Sequence, residues 1–257
     1  MLLEDAIVNP VRGKRSPDLG PFALLVSTRT DLLALCTRLG ISPDNAYPLY
    51  AGSLFVEDGK REPLAIAGPV VGAPYAVMML ETLISWGAQK ILFLGWCGAL
   101  TRDVSFGDLV IPTAAFIDEG TSRHYTNAWS GDDDAKGGRL YPNGEDRSLP
   151  SPGFLDGVAR QFPVEASSVH HGPIWSTDGI YRETAQKVRH YRSQGALAVE
   201  MEVSALFTVG RARQVDVGAI LVVSDDLSEL RWRPGFKTDA FRQGRERAIE
   251  GILDLIE

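Results

Sequence analysis

Between Gly195 and Leu227 the chain reads as a strand–helix–strand unit in which both strands end in carboxylates. The apolar run Ala196–Val199 meets Glu200 and Glu202, a helix-like run covers Met201–Arg213, and a second apolar run, Val217–Val223, ends in Ser224-Asp225-Asp226. A buried strand that ends in a carboxylate is costly unless the carboxylate meets a ligand, a cation or several donors. Two such ends point to one polar site.

The same alternation runs along the rest of the chain. Phe22–Ser27 reads as a strand and Thr30–Leu39 as a helix ending at Gly40. Tyr47–Val56 and Pro63–Ala67 read as strands joined at Asp58-Gly59, a hairpin signal. In Ala73–Trp86 the residues Ala76, Met79, Leu80, Leu83 and Ile84 recur at helical spacing. Lys90–Leu94, Leu109–Ile117 and Val164–Trp175 read as strands, and Phe154–Phe162, Arg182–Tyr191 and Phe236–Ile256 as helices. This pattern predicts an α/β protein with a mixed or parallel sheet covered on both faces. A chain of 257 residues buries a full core as a single domain, 1–257. Residues 1–21 read as an extended arm whose Arg12, Lys14 and Arg15 are solvated or cover a site. The polar span 126–151 reads as a long loop, either a plain connection or a lid.

Composition narrows the function classes. A net charge of −7 argues against a nucleic-acid partner, because phosphate contacts need clustered Lys and Arg. Cys36 and Cys97 have no metal-ligand spacing and make no disulfide framework, which fits a reducing cytoplasm. No apolar run reaches the ~18 residues of a membrane span, and the N-terminus lacks a signal-peptide core. A cytoplasmic location with no membrane partner is expected. His170-His171 lacks the further ligands a metal needs. The segments Gly68–Pro74 and Gly95–Ala99 match neither the phosphate loop nor the dinucleotide fingerprint, so no metal or organic cofactor is expected. Both read as loops after strands, which serve as plain turns or bring backbone N–H groups to an anion or a sugar.

Four motifs occur in one order: Gly72-Ala73-Pro74 before a helix, Gly95-x-Cys97-Gly98-Ala99 after a strand, Val199-Glu200-Met201-Glu202, and a strand ending in Ser224-Asp225. Together they resemble the nucleoside phosphorylase family that contains hexameric purine nucleoside phosphorylases, uridine phosphorylases and the methylthioadenosine/S-adenosylhomocysteine nucleosidases. The resemblance runs from about Phe22 to the C-terminus. It implies one α/β domain around a mixed, partly barrelled sheet flanked by helices. It also implies a homo-oligomer, a dimer or a trimer of dimers, and a nucleoside substrate with inorganic phosphate as co-substrate.

Breaking an N-glycosidic bond builds positive charge on the ribose and negative charge on the base. The resemblance assigns Glu202 to the ribose hydroxyls, Met201 to the apolar face of the sugar and Glu200 beside them. A carboxylate capping the following helix is the other reading of Glu202. Asp225 is the expected acid toward purine N7, with Ser224 as its neighbour, and Asp226 is the rival or a cap for Leu227–Glu229. Thr184 and Gln186 stand where the uridine phosphorylases carry their uracil-reading Gln and Arg, so a purine is expected.

The departures lie at the phosphate end. Asp31 occupies an arginine slot, with Arg29 two places early; Phe93 and Trp96 occupy an arginine and a serine slot. Tyr47–Val56, where a partner's arginine is expected, has none. The first loop also lacks the glutamate with which the nucleosidases activate water. A polar cluster, Asp118–Tyr125, offers Arg123 and His124 for an anion or for the 5′ end of the sugar, or is a solvated loop. An anion is expected between the Ser27–Asp31 loop and the Gly95–Ala99 loop, where Gly95 and Trp96 lie, within reach of Arg29, Arg123 or His124. The resulting expectation is an enzyme cleaving the N-glycosidic bond of a purine nucleoside, with phosphate as first acceptor and water as second. A nucleoside-binding protein without a phosphate site is the third alternative.

Overall fold

The computed structural model describes residues 6–57, 59, 62–125, 147–164 and 168–256. Most of the loop or lid expected over 126–151 lies outside the described residues, as does part of the turn at Asp58-Gly59. In chain order the elements are β1 (Phe22–Val26), α1 (Arg29–Arg38), β2 (Tyr47–Leu49), β3 (Gly52–Glu57), β4 (Leu64–Gly68), α2 (Ala73–Ser85), β5 (Lys90–Ala99) and β6 (Leu109–Asp118). There follow β7 (Arg147–Ser148), α3 (Pro152–Gln161), β8 (Val169–Thr177), α4 (Ala185–Ser193), β9 (Ala198–Glu200), α5 (Val203–Arg213), β10 (Asp216–Asp226), β11 (Arg233–Pro234) and α6 (Asp239–Ile256).

The strands β10, β6, β8, β9 and β5 pair in that order, and β5 pairs back onto β10, closing a mixed five-strand barrel. From β5 the sheet continues outward through β1, β4, β3 and β2. Helices cover both faces. On one, Ala76, Met79, Leu80 and Leu83 of α2 pack with Val203, Leu206 and Phe207 of α5. On the other, Leu32 and Leu35 of α1 pack with Val158 of α3 and Phe241, Ile249 and Ile252 of α6. A strand covered on both sides has no polar face, which is why Ala23–Val26 and Val217–Val223 are unbroken apolar runs.

The boundaries correct the sequence reading in instructive places. β5 does not stop at Leu94 and hand over to a glycine loop; it runs on to Ala99. A Cβ on Gly95 would lie 2.5 Å from the Phe93 ring, and one on Gly98 would lie 2.7 Å from Leu227 and 3.0 Å from the Asp225 carboxylate. These glycines allow close approach within a strand and make no turn. β10 likewise continues to Asp226, with a shift of register between Val223 and Asp225. Tyr47–Val56 is two strands, β2 and β3, paired antiparallel, with Tyr50 at φ 55° in the turn. The helix expected over Arg182–Tyr191 is a 3-10 turn, Ile180–Arg182, followed by α4, which Thr184 caps by accepting from the N–H of Lys187. The last helix starts at Asp239, not at Phe236.

Within the arm, Arg12, Lys14 and Arg15 are exposed. The arm is tied to the C-terminal end of α2, where Ser85 Oγ donates to the carbonyl of Pro10 (2.9 Å) and Trp86 Nε1 to that of Val11 (3.3 Å). Among the described residues no helix is long and apolar enough to cross a membrane.

Candidate active site

The barrel brings the two carboxylate strand ends together by flanking β5. Gly98 pairs with Val199 of β9 on one side and with Asp225 of β10 on the other. Glu200 and Asp225 therefore approach from opposite sides of one strand. Between them lies buried Cys97, whose thiol is raised by burial and by the charges of Asp225 and Glu200.

Glu200 is the helix cap. Its carboxylate accepts from the backbone N–H groups of Glu202 (2.6 Å) and Val203 (2.8 Å), at the start of α5, and from Ser176 Oγ. Ser176 Oγ in turn accepts from the N–H of Ser204 (2.9 Å). The capping alternative weighed for Glu202 thus belongs to its neighbour two residues earlier. Glu202 reaches the other way and accepts from the N–H of Gly72 (2.5 Å), at the start of α2. Met201 lies in the bend between the two glutamates and is partly exposed. Burial raises both carboxyls; the charge of Glu200 raises Glu202 further, while Ser176 and the backbone donors oppose the rise at Glu200.

Asp225 and Asp226 are distinguished in the same way. Asp225 accepts from Ser224 Oγ (2.7 Å) at Oδ1 and from Trp232 Nε1 (3.0 Å) at Oδ2. Burial raises its carboxyl, and Ser224 and Trp232 work against the rise. Asp226 accepts from the N–H of Ser228 (2.6 Å) and pairs with Arg233. Burial alone raises Asp226, but these partners outweigh it and hold the carboxyl below its ordinary range. Asp226 is the carboxylate tethered by a cation, and Asp225 is the one whose carboxyl burial raises.

Two further residues stand at this end: the sequence reads Glu183, with Arg182, first as a helix start and second as facing the base, and does not single out Trp232. Glu183, just before α4, is pushed up to about 7 by burial and by the charge of Asp225, with Lys187 opposing. Its signal was an acid in the loop after β8, and that loop reads first as a helix start. Trp232 carries no local motif at all.

The end where an acceptor is expected lies where β1 meets β5. The N–H of Ser27 donates to the carbonyl of Leu94 (2.9 Å), and Ser27 Oγ is buried without a hydrogen bond. Asp31 is buried and accepts from Thr28 Oγ1 (2.9 Å), Trp96 Nε1 (2.6 Å) and Arg245 (Nε at 2.7 Å, Nη2 at 2.6 Å). The Arg245 guanidinium also lies 5.7 Å from the Trp96 ring and 5.9 Å from the Phe241 ring. Trp96 is edge-on to Phe241 at 4.9 Å. The indole N–H of Trp96 is thus committed to Asp31. Phe93 is fully buried in the core. Arg29 is exposed on the first turn of α1.

Arg123 and His124 sit exposed on a 3-10 turn, Thr121–Tyr125, that buttresses α5. Glu119 accepts from the N–H groups of Thr121 (2.5 Å) and Ser122 (3.0 Å) and from Ser204 Oγ (3.0 Å), while Ser122 Oγ bonds Thr208 Oγ1 (3.1 Å). Tyr125 then reaches Glu81 and Arg213, toward the ends of α2 and α5 remote from Glu202. Glu119 and its neighbours hold the helix that presents Glu202.

Residues 21–257 match the family described as the phosphorylase superfamily, and the chain belongs to it. It is 30% identical over 164 residues to a guanosine phosphorylase of Halorubrum lacusprofundi, covering 64% of this chain and 61% of that protein. It is 28% identical over 180 residues to a DeoD-type purine nucleoside phosphorylase of Bacillus cereus, covering 66% and 65%. The matched stretch thus spans less than two thirds of those relatives. Solved structures share the fold. A uridine phosphorylase from Vibrio fischeri superposes with TM-score 0.72 at 21% identity, covering 92% of each chain. An AMP nucleosidase from Bacteroides thetaiotaomicron gives 0.68 at 24%, covering 93% of this chain and 89% of that one. A 5′-methylthioadenosine/S-adenosylhomocysteine nucleosidase from Helicobacter pylori gives 0.71 at 16%, covering 93% and 98%.

Proposed function

We propose that this chain cleaves the N-glycosidic bond of a purine nucleoside, with phosphate as the acceptor. The observation that carries the reading is the pair of strand ends around Gly98, which presents Glu202 and Asp225 held by hydrogen bonds alone. The C1′–N9 bond breaks with its electrons going to the base, and a phosphate oxygen bonds C1′ to give ribose 1-phosphate. Asp225 gives its proton to N7 as negative charge gathers there. Glu202 accepts from the ribose hydroxyls and so favours the developing sugar cation. A carboxyl raised by burial holds its proton nearer neutral pH, which general acid work needs. Phosphate is supported by the two relatives being phosphorylases, by the N-terminus of α1 and by the unpartnered Ser27 Oγ beside it.

A second reading, water as acceptor, is favoured by Asp31. In the slot where a phosphate arginine is expected an anion would meet a carboxylate, and the nearby Trp96 N–H is already spent. A panel of purine and pyrimidine nucleosides, assayed for free base with and without phosphate, tests both. Ribose 1-phosphate supports phosphorolysis, free ribose supports hydrolysis, and no base from any purine nucleoside defeats the proposal.

A further inference from the structure

Trp232 is 60% exposed, yet its indole N–H is bonded to the acid of the proposed reaction. It sits on the hairpin between β10 and β11, just before β11. That hairpin is anchored by the N–H of Leu227 on the carbonyl of Ala99 (2.8 Å) and by the pairing of Asp226 with Arg233. Its Leu230 adopts a left-handed φ of 58°. The indole rests 6.4 Å from the Phe236 ring, which lies 6.0 Å from that of Trp96.

The two donors on Asp225 are not equivalent. Ser224 Oγ has two acceptors, Asp225 Oδ1 at 2.7 Å and the carbonyl of Cys97 at 3.2 Å. Its hydroxyl can turn from one to the other, and a hydroxyl also accepts. Ser224 therefore tolerates either protonation state at Oδ1. An indole N–H only donates, so Trp232 fits Oδ2 only while that oxygen carries no proton. Oδ2 is also the outer oxygen: its partner is exposed, whereas Ser224 is buried.

We infer that Trp232 is a displaceable positioning residue, which occupies the outer oxygen of Asp225 in the free protein and yields it to the base of a bound nucleoside. This rests on the purine nucleoside reading. With the indole gone, Oδ2 takes a proton from solvent and faces N7 of the base. The other groups around Asp225 are Asp226 on the same strand, neutralised by Arg233 of β11; Glu183 ahead of α4, opposed by Lys187; and the Cys97 thiol on β5. Because Glu183 is pushed up to about 7, the pH profiles are compared in a Glu183→Gln background.

Trp232→Phe keeps the ring and removes the N–H. Loss of a donor to the ionised carboxylate raises Asp225 in the free enzyme, so the basic limb of kcat/KM moves to higher pH by roughly one unit. The basic limb of kcat stays in place, because the indole has already left in the complex. In a nitrogen-15-labelled sample the five tryptophans give indole resonances, and Trp232→Phe identifies the one concerned. That resonance should titrate in the wild type, lose its titration in Asp225→Asn, and move on addition of guanosine or inosine. An unmoved resonance, or identical kcat/KM limbs in the two proteins, overturns the inference. A resonance that is displaced in a protein releasing no base sustains the displacement and defeats the glycosidic reading. An unmoved resonance in an active enzyme does the reverse, and no response to any purine nucleoside overturns both.

Discussion

At the ends of β9 and β10, buried Glu202 and half-buried Asp225 are held by hydrogen bonds alone and raised toward the protonated form. At the start of α1, Asp31 is buried and takes Arg245, Trp96 and Thr28 as partners. All three are acids in similar surroundings, and the partner decides what each does. Without a cation a buried carboxyl is costly to ionise and stays available for proton transfer or for sugar hydroxyls. With an arginine and an indole it becomes a structural joint, here tying α1 to β5 and α6.

The largest effect that sharpens this contrast is expected at Asp225. Asp225→Asn should lower turnover on purine nucleosides by ~10²–10⁴-fold, the usual worth of a general acid. Asp226→Asn should leave turnover nearly intact and instead lower stability, since its carboxylate serves Ser228 and Arg233. If Asp226→Asn damages turnover more, the distinction between tethered and available carboxylates breaks. Next comes Asp31→Ala, which strands Arg245 and the Trp96 N–H. Removing one partner of such a buried pair costs about 3–5 kcal/mol, read as a lower urea midpoint with unchanged slope. An Asp31→Ala, Arg245→Met double variant should recover part of that loss.

Glu202→Gln should lower kcat at least ~100-fold while the protein still folds. The same residue tests the electrostatics without any substrate. Burial raises Glu200 and Glu202 in the folded state, so the folded protein binds more protons than the unfolded chain once pH exceeds the ordinary glutamate value of about 4.3. Stability contributed by these groups is therefore present below that value and declines as pH rises toward neutrality. Glu202→Gln should flatten this decline in the melting temperature, and an unchanged slope would count against the pair. The smallest effect is expected at the acceptor end. Ser27→Ala should raise the phosphate KM by roughly tenfold to a hundredfold, the worth of one hydrogen bond to a charged group; no change would favour water as acceptor.

The strand–helix–strand unit from Ala196 to Asp226 was legible in the sequence because its signals are local. Apolar runs mark the strands, and acids at their ends mark the polar site. The roles within each pair of acids were less so. Which of Glu200 and Glu202 caps α5 depends on the turn of two residues and on Ser176 from β8, and both are set by the barrel. The preference for Asp225 over Asp226 rested on resemblance; the structure adds a difference in partners, Arg233 and Ser228 holding Asp226 alone. Asp31 was noticed as a departure, but Arg245 lies 214 residues away and no local pattern links them. Gly95 and Gly98 read as a loop because glycine usually signals a turn; here it marks close packing inside β5, visible only with Phe93, Leu227 and Asp225 in place.

The most direct measurement is free base released from guanosine and inosine by the wild type, Asp225→Asn and Asp226→Asn, each with and without phosphate. Release is expected from the wild type and from Asp226→Asn, with a loss of at least ~100-fold in Asp225→Asn. Undiminished release by Asp225→Asn, or no release from any purine nucleoside by the wild type under either condition, would contradict this expectation.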